Sequence, residues 1–282
     1  MRRLGGGGFT ALLLLPLIIF LALAFYYPLG FTLVQSLTDA KGHATLVNFA
    51  HFLGRRSGWA TLWLTLVLSA LATAASLLLC LPLAFLLRRR FAGIGVVRFL
   101  MMVPITIPAL VGALGLLILY DRTGWVNALL VRGLHLFASP VPIDYTRGGL
   151  VLFYVWMFFP YGALVITAAL GAMDPAVEEA ARVCGAPPWR VLVSVILPLL
   201  RPALLAGSVM IFLQCFGAFS VPLIAGGNWQ PIAVRIYTVA NVFLDWHAAS
   251  AMAVVMASIQ CALILAYQVL ADRASRRQGV RA

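Results

Sequence analysis

The chain has 282 residues, of which 63% are hydrophobic and only 10% are charged, and its formal net charge is +12. Soluble proteins carry about 25% charged and about 45–50% apolar residues, so this composition excludes an ordinary water-soluble domain, a disordered chain, a collagen and a disulfide scaffold. The basic residues form short groups between long apolar runs, which indicates a polytopic membrane protein that contacts lipid and has no nucleic-acid-binding face.

Six uncharged stretches each exceed the roughly 20 residues that a helix needs to cross a hydrocarbon core about 30 Å thick. Alternating segments of about ten residues, as in a β-barrel, are absent from the sequence. We therefore predict an all-α fold with six transmembrane helices in one domain over residues 1–282. The predicted spanning helices cover about Thr10–Val34, Ala60–Leu87, Phe99–Leu119, Leu150–Ala172, Ala203–Ile224 and Ala248–Ala271.

The basic residues of the connections predict the orientation of the chain. If both termini share one side, that side holds thirteen basic residues: Arg2, Arg3, Arg88, Arg89, Arg90, Arg98, Arg182, Arg190, Arg201, Arg273, Arg276, Arg277 and Arg281. The other side holds seven: Lys41, Arg55, Arg56, Arg122, Arg132, Arg147 and Arg235. The positive-inside rule then places both termini in the cytoplasm.

The N-terminal segment has two interpretations. The segment has the layout of a signal peptide. Met1-Arg2-Arg3 is followed by an apolar run and then by Ala22-Leu23-Ala24, which has the small residues of a cleavage site. The uncharged stretch continues to Leu37, however, which is too long for a typical signal sequence. We therefore expect a retained first helix, with cleavage as the alternative.

Three prolines lie near the middle of predicted spans: Pro104 and Pro108 in the third helix and Pro160 in the fourth. Each removes one backbone hydrogen bond and is expected to kink its helix. The kinks have two interpretations, a packing feature or a hinge in a transport pathway.

The connection from Asp174 to Pro202 has the sequence of two short helices. Asp174 is suited to cap a helix, and Pro175 to occupy its first position. Glu178 and Glu179 lie near the positive end of the helix dipole, and Gly185 is suited to end the helix.

We predict helices over Pro175–Cys184 and from Pro187-Pro188 to Pro198, and Pro202 in the first turn of the fifth spanning helix. The second helix carries an apolar side formed by Trp189, Val191, Leu192, Val195 and Ile196.

This connection also has two interpretations. Two carboxylates and small alanines on a short cytoplasmic helix form a projection that another protein can grip. The alternative is an amphipathic helix that lies on the membrane surface.

A family resemblance favours the first interpretation. Part of this connection resembles the signature EAA-x3-G-x9-I-x-L-P. It consists of Glu179-Ala180-Ala181, three residues, Gly185, nine residues, Val195, one residue and Leu197-Pro198. That signature is typical of the inner-membrane permease subunits of binding-protein-dependent ABC importers. The single departure is Val195 in place of isoleucine.

Two weaker features are similar to one branch of that family, which contains the spermidine/putrescine, iron(III), sulfate, thiamine and phosphonate permeases. One is Ser36-Leu37-Thr38-Asp39, which follows the first predicted helix. The other is the run Phe216–Pro222 together with Gly226-Gly227.

The resemblance implies a permease in the bacterial inner membrane that forms half of a pathway for a small polar solute. Its implied partners are a second permease copy or relative, two cytoplasmic ATPase subunits and a periplasmic solute-binding protein. It further implies that the segment at about 174–202 docks into the ATPase through Glu178, Glu179, Ala180, Ala181, Gly185, Leu197 and Pro198.

Two other classes of function are weighed against this one. An ion-coupled secondary transporter usually needs an ionisable residue within the membrane, and the cores of all six predicted spans lack Asp, Glu, Lys, Arg and His. An intramembrane enzyme would need convergent catalytic groups, but Ser69, Ser76, Ser208 and Cys215 have no acidic or histidine partner in neighbouring spans.

No cofactor, metal or catalytic residue is predicted. The four cysteines form no CxxC pair, the four histidines form no HExxH pair, and the single lysine, Lys41, is not in a phosphate-binding loop. Gln214, Ser220 and Gln260 are polar groups at membrane depth, where an unpaired polar group is costly. They are candidates for lining a solute pathway, with hydrogen bonding between helices as the alternative.

Overall fold

The computed structural model describes residues 6–89 and 91–277. Four of the arginines that predict the orientation, Arg2, Arg3, Arg90 and Arg281, lie outside the described residues. Within those ranges the chain is helical, and its β-structure is limited to an isolated bridge between Thr38 and Ala44. This confirms the predicted all-α fold.

The helices follow one another along the chain with short connections. They are α1 (Gly6–Leu21), α2 (Tyr27–Ser36), α3 (Val47–Leu53), α4 (Arg56–Arg88), α5 (Ile94–Thr106), α6 (Ala109–Tyr120), α7 (Trp125–Ala128), α8 (Arg147–Gly171), α9 (Pro175–Val183), α10 (Pro188–Val191), α11 (Leu197–Phe216), α12 (Ser220–Ala225), α13 (Ile232–Asn241) and α14 (Trp246–Arg277). Wider π-helical turns occupy Ala22–Tyr26, Leu129–Gly133 and Leu192–Ile196.

Six helical segments among the described residues are long and apolar enough to cross a membrane, which confirms the predicted number of spans. They are Leu13–Ser36, Arg56–Arg88, Ala109–Gly133, Arg147–Gly171, Pro188–Phe216 and Trp246–Val269. The fourth predicted span, Leu150–Ala172, agrees with α8 to within three residues at each end. Helix α8 continues through Pro160 without a break.

The third predicted helix, Phe99–Leu119, is wrong as a continuous element. The structure divides it into α5 and α6, and Ile107 between them is extended at φ −82° and ψ 129°. The cause is Pro108, because the ring of a proline disfavours helical geometry in the residue before it. Pro104, in contrast, lies inside α5.

The fifth prediction, Ala203–Ile224, is wrong at both ends. A continuous helical segment begins at Pro188 and ends at Phe216, so Pro198 does not end a helix and Pro202 lies inside α11. The wide turn at Leu192–Ile196 precedes Pro198, and there the Leu197 N–H reaches back five residues to the Leu192 carbonyl. We attribute the continuity to this turn, because such a change of hydrogen-bond register accommodates a residue that lacks an N–H.

The described residues divide into two compact units. One comprises the chain up to Ala60 together with Arg235–Ser258, and the other comprises Thr61–Val234 and the chain from Ile259. In the first unit, Asn48 on α3 donates from Nδ2 to the carbonyls of Ser36 and Thr38, which fixes the end of α2.

Helix α8 is the centre of the second unit, and 56% of the residues in its most apolar stretch are buried. Buried side chains recur along it every three or four residues, the spacing of one helix face. Around the first half lies a cluster with members from α4, α6, α11 and α12, and around the second half lies another with members from α4, α5, α10 and α11. The second cluster supports the connection between α8 and α11.

Helices α8 and α11 approach closely at a pair of glycines. A methyl group on Gly207 would lie 3.5 Å from the Cα atom of Gly162, and one on Gly162 would lie 2.4 Å from Cδ1 of the buried Ile211. Small residues at this crossing allow the two backbones to pack together, as is common in membrane proteins.

Replacing Gly162 with Leu is expected to lower the apparent melting temperature of the purified protein, because overpacking costs about 1–3 kcal/mol. The matched control is Gly171→Leu in the same helix, where an added Cβ meets nothing within 4 Å. Thermal unfolding in detergent measures both variants. Equal melting temperatures would contradict the close α8–α11 contact.

Candidate functional site

The residues from Asp174 to Pro202, here called the EAA segment, begin with the helix that the sequence predicts. Asp174 caps α9, and its Oδ1 accepts a hydrogen bond of 2.9 Å from the Ala176 N–H. Pro175 occupies the first position and Glu178 lies in the first turn. The helix ends at Val183, one residue earlier than predicted.

The end of α9 is a left-handed turn at Gly185, where φ is +80°. The Gly185 N–H donates to the carbonyl of Arg182 at 2.9 Å, and the Ala186 N–H donates to that of Ala181 at 3.1 Å. These two bonds form a Schellman motif, which requires the conformation that glycine adopts at least cost. The prediction that Gly185 ends this helix is thereby confirmed.

Helix α9 has an outward face and an inward face. Ala176, Glu179, Ala180 and Val183 are all exposed, and Val183 is 88% exposed. Their spacing of three, one and three residues places them on one side of the helix. Ala181 points the other way and packs against the buried cluster around the second half of α8. The three residues of the EAA triplet therefore divide between the two faces.

The two neighbouring carboxylates also point in different directions. Glu179 is exposed, whereas the side chain of Glu178 is only 13% exposed. The guanidinium of Arg88, the last residue of α4, is paired with Oε1 of Glu178, and Nη2 of Arg182 lies 3.8 Å from Oε2. Glu178 is therefore engaged within the chain.

In the sequence, Arg88 is only one of the basic residues whose distribution predicts the orientation of the chain. No spacing in the sequence connects it with Glu178, because the two residues are 90 positions apart. Only the packing of α4 beside the EAA segment brings them together.

The second half of the EAA segment is anchored in the protein core. Val191, Ile196 and Leu200 are buried in the same cluster as Leu87 of α4. Leu197 and Pro198 are partly buried at the start of α11. The predicted apolar side is confirmed for Val191 and Ile196.

Trp189 departs from that apolar side. Its side chain is 63% exposed, and the guanidinium of Arg190 lies 5.5 Å from its ring centre. This exposed tryptophan adds apolar area to the segment, the kind of surface that marks interaction sites when it is contiguous.

A second candidate region is a cavity of about 180 Å³ in the same unit. Gln214 and Ser220 both line it, and its remaining lining residues are Ala109, Met157, Phe158, Gly217, Ala218, Phe219 and Val221. The lining carries polar groups and no charged side chain. The structure thus brings together two of the three polar residues selected from the sequence.

Two interruptions of helices meet at this cavity. Ala109 is the first residue of α6, after the break at Pro108, and residues 217–219 separate α11 from α12. The prediction that Ser220 belongs to the fifth spanning helix is therefore wrong, because Ser220 is the first residue of the short helix α12. Non-helical backbone at membrane depth is tolerated where it is buried in protein or lines a water-filled cavity.

Gln260, the third candidate, is partly exposed in α14 and is not among the residues lining this cavity.

The Ser36–Asp39 sequence forms a compact turn at the end of α2. The carboxylate of Asp39 accepts backbone hydrogen bonds of 2.9 Å from His43 and Lys41. The bond from His43 is the main reason that the pKa of Asp39 lies below its usual value. The sequence did not reveal that Nδ1 of His247, at the start of α14, lies 3.0 Å from the Gln35 carbonyl beside this turn.

Across the residues that the structure describes, no three or more His, Cys, Asp or Glu side chains are grouped so that they could hold a metal ion.

Comparisons with known proteins identify a family. Residues 80–278 match the family model described as "Binding-protein-dependent transport system inner membrane component". The chain is 29% identical over 267 residues to a permease protein of Salmonella choleraesuis (strain SC-B67), provisionally assigned to a 2-aminoethylphosphonate transport system. The match covers 94% of this chain and 93% of that protein.

The fold is similar to those of solved transporters. A bacterial ABC transporter that imports the acidic polysaccharide alginate matches with a TM-score of 0.80 and 18% identity, over 94% of this chain and 95% of that one. The alginate transporter in complex with a pentasaccharide-bound periplasmic protein matches with a TM-score of 0.75 and 20% identity, over 98% of both chains.

The two faces of α9 predict a difference in chemical accessibility. In a chain whose exposed Cys184 and Cys261 are replaced by Ser, Val183→Cys is expected to react with a maleimide about tenfold faster than Ala181→Cys, because thiol reactivity follows access.

The measurement uses inside-out membrane vesicles and a reagent that does not cross the membrane. Equal rates would contradict the assignment of faces. Rapid reaction only in right-side-out cells would contradict the predicted cytoplasmic position of the segment.

Proposed function

This chain belongs to the family of inner membrane components of binding-protein-dependent transport systems, and we propose that its EAA segment is the contact through which separate ATPase subunits drive it. It is a multi-pass permease subunit of an ABC importer. The observation that carries the proposal is the exposed face of α9, which presents Glu179 and Ala180 on a helix anchored from behind by Ala181.

The chemistry of that face suits a protein partner. The small Ala176 and Ala180 allow close backbone approach, and the Glu179 carboxylate is free to accept from an arginine or lysine of the ATPase. Val183 and Trp189 add apolar area beside it. Gly185 supports the contact by setting the direction of the next segment.

The remaining predicted coupling residues have supporting positions in this proposal. Glu178 and Ala181 hold α9 against the core, while Leu197 and Pro198 lie where the EAA segment becomes α11. A displacement of α9 is thereby passed to α11, whose far end at Gln214 borders the cavity. ATP-driven closure of the ATPases would move α9 and α11 and open the pathway to the outside. ATP hydrolysis would then let the pathway open to the inside.

The proposed assembly has further partners. A second permease, identical or related, completes the pathway, and a periplasmic binding protein delivers the solute. The solved alginate transporter in complex with its periplasmic protein supports this arrangement by similarity of fold. We place both termini in the cytoplasm on the charge asymmetry, which puts the EAA segment on the side of the ATPases.

The cavity lined by Gln214 and Ser220 is the proposed solute pathway within this half of the importer. Its two polar side chains, its lack of charged lining residues and its position at two helix interruptions support a small polar solute. One example of such a solute is 2-aminoethylphosphonate, after which the transport system of the Salmonella relative is named.

Replacing Glu179 with Lys is expected to lower solute-stimulated ATP hydrolysis of the reconstituted importer about tenfold or more, because charge reversal turns an attraction into a repulsion. Glu179→Asp keeps the charge and is expected to retain most of the stimulation. The amount of permease inserted in the membrane controls for folding. Unchanged stimulation in Glu179→Lys would contradict the docking role.

Replacing Gln214 with Leu is expected to slow solute uptake into proteoliposomes, since it removes a polar group from the cavity. The matched control is Gln260→Leu, which lies outside the cavity lining and is expected to transport normally. Uptake is measured at several solute concentrations together with ATP hydrolysis. Equal uptake by the two variants would remove Gln214 from the pathway.

A further inference from the structure

The two adjacent carboxylates of α9 have opposite environments. Glu179 faces outward, whereas Glu178 is turned inward and lies between the guanidiniums of Arg88 and Arg182. A docking surface alone would not require an inward carboxylate. Glu178 must therefore be explained by what it binds within the chain.

The two arginines do not contribute equally. The side chain of Arg182 is 63% exposed and lies one helical turn from Glu178, so this pair is weakened by water and salt. The side chain of Arg88 is 25% exposed and that of Glu178 is 13% exposed. A pair so largely removed from water is expensive to break, because each charge would be left without its partner.

The Arg88 pair also joins two different elements. Arg88 is the last residue of α4, which is 33 residues long, and Leu87 beside it is buried in the cluster that supports the EAA segment. Arg98 in α5 also donates to the Leu87 carbonyl, but at 3.5 Å this is a long and weak hydrogen bond. The burial of Leu87 is therefore the main attachment of the end of α4.

Helix α9 is connected to the spanning helices in three ways. Two connections are covalent: residues 172–174 join it to α8, and the wide turn at Leu192–Ile196 leads on into α11. The third is the ion pair to α4, which joins residues 90 positions apart. A wide turn next to a proline is a deformable joint, whereas a directed ion pair resists separation.

We propose that the Glu178–Arg88 ion pair is a positioning contact that makes α4 follow the movement of α9. The proposal rests on the function proposed above, in which the ATPase moves α9. Glu179 receives the force at the outer face, and Glu178 transmits it at the inner face. Without the pair, α9 still moves on its covalent links, and α4 lags behind.

A purely stabilising ion pair would give a different result from a transmitting one. Loss of stability lowers the amount of assembled complex and its basal ATP hydrolysis. Loss of transmission leaves assembly and basal hydrolysis intact and lowers solute-stimulated hydrolysis and the number of solute molecules imported per ATP.

The test is a charge exchange in the complete reconstituted importer with its ATPases and binding protein. Arg88→Glu and Glu178→Arg are each expected to lower solute-stimulated hydrolysis about tenfold, within the 5–150-fold range typical of coupling between sites. The double variant Arg88→Glu/Glu178→Arg restores an ion pair and is expected to recover activity to within about threefold of the original protein.

Two controls separate this contact from its surroundings. Arg89→Glu makes the same change at the neighbouring exposed residue and is expected to retain stimulation. If a charge-reversed single variant fails to insert, the neutral variant Glu178→Gln takes its place, because it keeps the shape of the side chain. Its expected result is reduced import per ATP with normal assembly.

The outcomes divide cleanly. Equal stimulation in Arg88→Glu and Arg89→Glu, or a double variant no better than the worse single variant, would overturn the proposal. If Glu179→Lys uncouples the importer and Arg88→Glu does not, only the transmitting contact is wrong. If Glu179→Lys has no effect, the docking function itself fails.

Discussion

The absence of water inside a bilayer is the constraint on which this structure depends. Backbone N–H and C=O groups there must find partners within the protein, so the chain crosses as helices. A departure from helical geometry leaves backbone groups that need other partners in the protein or in a water-filled cavity. Two such departures, at Pro108 and at residues 217–219, meet at the cavity that Gln214 and Ser220 line.

The EAA segment also depends on contacts within the protein. Helix α9 is held by a capping aspartate, a left-handed glycine and the inward Ala181 and Glu178. With the inner face fixed in this way, Glu179 stays exposed on the outer face, where we propose that it meets a partner. Anchoring and presentation are thus complementary properties of one helix, set by which side each residue occupies.

Much of this was readable from the sequence because it depends on local or one-dimensional patterns. Six apolar runs predict six spans, and capping residues predict the start and end of α9. Six of the seven positions of the EAA signature match and predict the family, and the family match over residues 80–278 confirms it. The errors at Pro108 and Pro198 arose because one proline breaks a helix and the other lies after a wide turn that accommodates it.

The amino-acid order by itself determined the number of spans, the position of α9 and the family of the chain, since hydrophobic length, capping and motif spacing act along the chain. Tertiary structure alone decided that Glu178 binds Arg88 while Glu179 stays exposed, and that Gln214 and Ser220 share a cavity that Gln260 does not line. Adjacent residues of one type are alike in sequence, and they acquire different roles only when packing gives one a partner from a distant helix.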